Sequence, residues 1–255
     1  MQPLFPRDPS APAFVGGFDD EPIAYVTLGD GPPVLMIHGL MTDAARNWID
    51  PGVAQALVEA GYQVILPDLR GHGASGAPKS ISDYPPDALA MDIEALIDAL
   101  GLTGFDLVGY SLGGRVAVRL LVRGVRPRRC VIAGMGDGVF VGDGPRRKLF
   151  EAAIKGPGGS AMTARMHAFF KQSGMSAEAV LGVLATQVDT DPAALAAIET
   201  PVLCLSGEDD NDNGSAEALA AAFSNGSVQR KLGNHLSAPG EPAFAEALIK
   251  FLIAP

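Results

Sequence analysis

Five consecutive residues, Gly109-Tyr110-Ser111-Leu112-Gly113, carry the strongest chemical signal in this chain. They match G-x-S-x-G, with Gly114 directly behind, between the apolar run Phe105-Asp106-Leu107-Val108 and an amphipathic run that begins at Leu112. A strand that turns sharply into a helix at this pattern holds a serine on a strained backbone, with its hydroxyl projecting from the sheet edge. Glycines on either side let neighbouring chain approach the turn closely. The amino end of the helix directs free N–H groups toward developing negative charge. The chemistry indicated is nucleophilic attack. A serine hydroxyl is a poor nucleophile at neutral pH and needs a base within hydrogen-bond reach. The chain has four histidines, His38, His72, His167 and His235. The base in turn needs an acid to fix its tautomer. Asp209, Asp210 and Asp212 offer one, in an acidic loop after the apolar run Val202 to Leu205.

Short β-rich runs alternating with amphipathic helical runs must position these groups, a pattern that predicts a mostly parallel sheet. Ala13 to Phe18 and Ile23 to Leu28 read as a hairpin. Strands follow at Val34 to Ile37, Gln63 to Leu66, Phe105 to Val108, Cys130 to Ala133, Val202 to Leu205 and Val228 to Leu232. Several are continuous apolar runs, as strands covered on both faces should be. Leu89, Ile93, Leu96, Ile97 and Leu100 fall on one helical face, and so do Leu112, Val116, Leu120 and Leu121. Arg115, Arg119 and Arg123 line up on the second of these helices and predict a solvated outer face. A last helix starts near Pro242 and buries Phe244, Leu248, Phe251 and Leu252. Residues 137–200 contain helical sequence and no convincing strand. The reading is a core of residues 1–136 and 201–255, with 137–200 as a helical lid over the carboxyl edge of the sheet, where open α/β sheets bind ligands.

The net charge of −10 repels phosphate backbones and argues against a nucleic-acid partner. No apolar run reaches the roughly 18 residues that a membrane helix needs. Met1 to Pro9 lack the basic and apolar regions of a cleavable leader, so a cytoplasmic location is expected. Cys130 and Cys204 sit in apolar runs and read as buried thiols. Neither has a partner at metal-ligand spacing, so no zinc site is expected. The oligomeric expectation is a monomer or homodimer.

The chain resembles the α/β-hydrolase superfamily over nearly its whole length. His38-Gly39-Leu40, Asp68-Leu69-Arg70-Gly71-His72-Gly73-Ala74-Ser75, the Ser111 turn, and the pair Gly207-Glu208-Asp209-Asp210 and Gly233-Asn234-His235 carry the likeness, each after its strand. The resemblance implies a fold of about eight mostly parallel strands, with helices on both faces and a small helical lid. It implies the order Ser111, Asp210, His235 for nucleophile, acid and base. It also implies an oxyanion hole made by the backbone N–H groups of Leu40 and Leu112. His38 then shapes the loop beside that hole, and His72 is structural. His167, among the insertion's apolar residues, reads as satisfied or at the surface, with substrate contact as the alternative, and Trp48 packs the first crossover helix.

Met41, Met135, Met166 and Phe170 are the candidates for an apolar substrate pocket. The expected reaction is hydrolysis of a carboxylic ester or lactone of a small apolar substrate through an acyl-enzyme, with no metal and no organic cofactor. The same triad also serves C–C bond hydrolysis, acyl transfer and peracid formation, and some members of this fold bind ligands with negligible turnover. An aspartate at position 111 would have implied dehalogenase or epoxide-hydrolase chemistry, and the serine argues against both.

Overall fold

The computed structural model describes residues 12–142 and 145–253. The leader expectation, which concerned Met1 to Pro9, lies outside the described residues. Eight strands form one sheet in the order β1-β2-β4-β3-β5-β6-β7-β8. They are β1 (Ala13–Gly16), β2 (Pro22–Leu28), β3 (Pro33–Ile37), β4 (Gln63–Pro67), β5 (Asp106–Tyr110), β6 (Cys130–Ala133), β7 (Val202–Gly207) and β8 (Gly226–Lys231). The β1–β2 hairpin joins β4 antiparallel, and every pairing from β4 through β8 is parallel. This is the predicted α/β-hydrolase architecture, and each strand falls within a few residues of its expected place.

Alternation along the strands builds two cores. Leu35 and Ile37 of β3 and Leu107 of β5 face one layer, while Val34, Met36 and Val108 face the other. The first layer is packed by α2 (Ala88–Ala99), α3 (Leu112–Arg123) and α8 (Ala216–Ala222), through Ile93, Leu96, Val116, Leu120 and Leu219. The second is packed by α1 (Val53–Glu59) and α9 (Pro242–Leu252), through Leu57, Phe244 and Leu248. Trp48 is fully buried in this second layer, with its ring edge-on to Tyr110 at 6.2 Å. Cys130 and Cys204 are buried free thiols, and burial pushes both far above the usual thiol range.

Between β6 and β7 run a short 3₁₀ turn at Asp137–Phe140 and then α4 (Pro145–Lys155), α5 (Ala161–Ser173), α6 (Ala177–Ala185) and α7 (Pro192–Leu195). The Ser160 and Ser176 hydroxyls cap α5 and α6 by accepting backbone N–H bonds at 3.0 Å. Phe150, Val180 and Leu184 of α4 and α6 pack with Met41, and Met166, Phe169 and Phe170 of α5 lie against them. Leu195 and Ile198 turn back into the sheet's own core. Part of the insertion therefore lies over the loop after β3, and its end belongs to the body of the domain.

The arginine stripe on α3 is solvated at Arg123, as expected, but is partly covered at Arg115 and Arg119, and all three side chains are paired. Arg115 donates to the carbonyls of Gly138 and Val139 at 2.7 and 3.1 Å. Arg119 makes a bidentate pair with Asp87 at 2.8 Å, and Arg123 does so with Glu94 at 2.7 and 2.8 Å. The stripe ties α3 to the start of α2 and to the insertion. Its carboxylate partners are Asp87, at the N-cap of α2, and Glu94 within α2, which the spacing of the arginines alone does not reveal.

Among the described residues, no helix is long and apolar enough to cross a membrane.

Candidate active site

Ser111 sits at φ 53° and ψ −110°, between the end of β5 and the first residue of α3. A side-chain-bearing residue in this region of backbone space is strained, by roughly 1–3 kcal/mol. The surroundings hold it there. Its N–H donates to the Ala133 carbonyl at 2.8 Å. A Cβ at Gly109 would stand 2.2 Å from the Gly113 carbonyl oxygen, and one at Gly113 would stand 2.1 Å from that of Ile37. Neither position accepts alanine without moving the turn, so the two glycines of the motif are explained by packing.

The loops after β7 and β8 meet the serine. A Cβ at Gly207 would stand 2.2 Å from the Gly233 carbonyl oxygen, so only glycine there lets the two loops close together. Asn234 organises the second loop. Its side-chain oxygen accepts the N–H groups of Leu236 and Ser237 at 2.9 and 3.2 Å, and its own N–H donates to the Ser237 hydroxyl at 3.0 Å. His235 stands between Ser111 and Asp210. Its Nε2 lies 3.0 Å from Ser111 Oγ, and its Nδ1 lies 2.9 and 3.1 Å from the two Asp210 carboxylate oxygens. With Nδ1–H donating to the carboxylate, Nε2 is left to accept the serine proton. Asp210 is only 3% exposed, whereas Asp209 and Asp212 are exposed and make no hydrogen bond to the imidazole. The backbone N–H of Asp212 donates to Asp210 Oδ1 at 3.3 Å.

Tyr110 was not singled out in the sequence. Its hydroxyl donates to the His235 backbone carbonyl at 2.5 Å, and its ring lies 5.4 Å from the imidazole. The available signal was its place beside Ser111: as the last residue of β5, its side chain points to the face opposite α3. Asn47, beside the buried Trp48, has a role that the sequence analysis does not assign. Its side-chain oxygen accepts the Gly39 N–H at 2.9 Å and steadies the loop after β3.

Leu40 lies on that loop, and Leu112 opens α3. The Leu112 N–H belongs to the first turn, where no helix carbonyl is available to it. Among the described residues, no group accepts the Leu40 N–H. These are the two candidate oxyanion donors.

Two neutral histidines hold the Leu40 loop. The Leu69 N–H donates to His38 Nε2 at 2.9 Å, and His38 Nδ1–H donates to the Gly39 carbonyl at 2.7 Å. The Met41 N–H donates to His72 Nε2 at 3.3 Å, and His72 Nδ1–H donates to the Arg70 carbonyl at 3.1 Å. Arg70 is itself buried and bonded to Asp92 at 2.7 and 2.8 Å and to Asp19. Burial lowers His38 to about 4 and His72 to about 3. The unfolded chain takes up these two protons near pH 6.5 and the folded chain does not. Stability therefore falls as pH drops below 6.5, by about 2 kcal/mol per histidine down to pH 5. Urea unfolding midpoints at pH 7.5, 6 and 5 should fall accordingly, and His72→Gln should lose close to half of that slope. An unchanged slope in the variant would contradict the neutral clamp. His167 does not line the cavities of about 690, 380 and 280 Å³ at Ser111 and donates from Nδ1 to the Ala153 carbonyl at 2.6 Å, joining α5 to α4.

Ser111 lines three cavities, of about 690, 380 and 280 Å³. Met41 lines the first and third, Met135 the second and Met166 the third. Phe170 lines none of the three. It packs in the cluster among α4, α5 and α6, and Phe169, one position earlier on α5, lines the first and third. Phe150 and Leu184, not singled out earlier, line the second. Among the described residues, no three His, Cys, Asp or Glu side chains are grouped to hold a metal ion.

The fold has counterparts among known proteins. A family model described as alpha/beta hydrolase fold matches residues 32–132. A putative non-heme chloroperoxidase of Synechocystis is 41% identical over 99 residues, which are 39% of this chain and 34% of that protein. An epoxide hydrolase of Caballeronia sordidicola is 40% identical over 85 residues, 33% of this chain and 25% of that protein. The likeness thus spans only about a third and a quarter of these two relatives. Among solved structures, the esterase EaEST of Exiguobacterium antarcticum superposes with a TM-score of 0.77 over 96% of this chain and 100% of its own, at 20% identity.

Proposed function

We propose that this chain, which has the α/β-hydrolase fold and matches that family's model over residues 32–132, is a serine hydrolase that cleaves a carboxylic ester or lactone of a small apolar substrate through an acyl-enzyme. The observation that carries this reading is the hydrogen-bonded row Asp210–His235–Ser111, with contacts of 2.9 and 3.0 Å, ending at a strained serine that opens into cavities.

Ser111 Oγ attacks the carbonyl carbon and gives its proton to His235 Nε2. The carbonyl oxygen becomes an anion held by the Leu40 and Leu112 N–H groups; one such donor contributes roughly 3 kcal/mol in a comparable site. As the carbon–oxygen bond to the alcohol breaks, His235 returns the proton to the departing oxygen. Water, deprotonated by His235, then attacks the acyl carbon. The acid leaves and the proton returns to Ser111. Asp210 holds the imidazole in the productive tautomer and stabilises its charged form. Tyr110 anchors the backbone of the base. No step in this scheme calls on a metal or organic cofactor. Helices α4 to α6 act as the lid.

A fluorophosphonate tests this directly. Ser111 Oγ should form a bond to phosphorus with loss of fluoride, one adduct per chain, on the tryptic peptide that contains Ser111. With excess aryl ester, the protein should complete many turnovers. A single slow turnover would instead identify a ligand-binding protein, and an adduct located elsewhere would remove Ser111 from the mechanism.

A further inference from the structure

Three cavities meet at Ser111, yet His235 lines only two of them, those of about 690 and 280 Å³. The cavity of about 380 Å³ is lined by Leu40, Ser111, Leu112 and Met135 but not by His235. This asymmetry has a chemical meaning if the acyl-enzyme reading above is correct. In acylation the bond from Ser111 Oγ to the carbonyl carbon forms, and the bond from that carbon to the alcohol oxygen breaks. The alcohol oxygen receives the proton that His235 Nε2 took from Ser111, so it must lie within hydrogen-bond reach of that nitrogen. With the oxyanion turned toward the backbone donors, the acyl substituent is left pointing away from the imidazole.

We infer that the cavity of about 380 Å³ is the acyl site and the cavity of about 690 Å³ is the leaving-group site. The substrate class is then an ester whose alcohol part is larger than its acyl part. Both walls mix apolar and polar side chains: the acyl site has Leu40, Met135 and Phe150 together with Arg115, Gln187 and Asn213. The leaving-group site has Met41 and Phe169 together with Thr42, Arg46 and Gln172, groups that can hydrogen-bond to a leaving alcohol bearing polar substituents. The assignment therefore rests on which cavity His235 lines and on volume.

The acyl-enzyme retains the acyl group and has lost the alcohol, and this provides the test. Val141 is 54% exposed where it lines the acyl site, and Gln172 is an exposed residue of α5 at the leaving-group site. Tryptophan at either position narrows one cavity with little demand on the core. Burst kinetics would be measured with p-nitrophenyl esters from acetyl to octanoyl, and with butyrate esters of alcohols of increasing size. Val141→Trp should discriminate against octanoyl relative to acetyl by about tenfold more than the parent, and should change the rate of acyl-enzyme breakdown. Gln172→Trp should lower kcat/KM for the bulkiest alcohols by about tenfold and leave acyl-enzyme breakdown within about twofold. Reversed selectivities, or no change of selectivity in either variant, would overturn the assignment. Ser111→Ala run in parallel separates the two failures. If that variant still turns over these esters, the acyl-enzyme reading fails; if it is inert, the tryptophan variants judge the cavity assignment alone.

Discussion

Ser111→Ala should abolish ester turnover, lowering kcat by roughly 10⁶, because the remaining groups of a triad achieve little once the nucleophile is gone. The loss is expected without unfolding. Alanine retains the Cβ, and the strained backbone at φ 53° is held by Gly109, Gly113 and the bond from the position-111 N–H to the Ala133 carbonyl, none of which involves the hydroxyl. Among the described residues, the only side-chain hydrogen bond removed is that of 3.0 Å to His235. Ser111→Gly makes the point more sharply. Glycine adopts positive φ without strain, so this variant should be as inactive as alanine yet more stable, by about 1 kcal/mol. Initial rates with an aryl butyrate, together with thermal unfolding of both variants, check the pair. A variant that keeps more than about a hundredth of the parent rate would show that another group attacks the ester.

The strain also explains why this part of the molecule was legible in sequence. A turn that forces a non-glycine residue to positive φ and brings three backbones together imposes glycine at positions 109 and 113, and such demands leave a local signature. The parallel strands were legible for a related reason. Burial on both faces makes Val34 to Ile37 or Cys130 to Ala133 continuously apolar. What could not be read depends on how elements rotate against one another. Phe169 and Phe170 are equally apolar neighbours on α5. Roughly 100° of helical rotation separates them, and only the docked angle of α5 sends Phe169 to the cavities and Phe170 into the lid's own packing. Arg119 and Arg123 similarly suggested an exposed stripe, because Asp87 and Glu94 are distant in sequence and come within reach only when α2 lies beside α3. The clamp formed by His38 and His72 was anticipated in kind, as structural histidines. Its partners, the N–H groups of Leu69 and Met41, carry no side-chain signal at all.

Asp210→Asn should lower kcat by roughly 10⁴ at neutral pH while Asp209→Asn and Asp212→Asn stay within about threefold of the parent. Three acidic side chains lie within four residues, and charge alone would let any of them support the imidazole. Burial and direction separate them. Asp210 is 3% exposed and presents both carboxylate oxygens to His235 Nδ1, whereas its neighbours are exposed to solvent, where a single charge is heavily screened. Asparagine at 210 keeps the shape but can turn its NH₂ toward Nδ1. The imidazole then carries its proton on Nε2, donates to Ser111 instead of accepting from it, and cannot start the reaction. The contact that Asp212 makes with Asp210 runs through its backbone N–H, so Asp212→Asn leaves it intact. The variant at 210 should recover part of its rate at high pH, where hydroxide can substitute for the missing base, and the other two should follow the parent pH profile. A larger loss at 209 or 212 than at 210 would mean that the base takes its orientation from a different carboxylate, and that the row of contacts seen here is not the one that reacts.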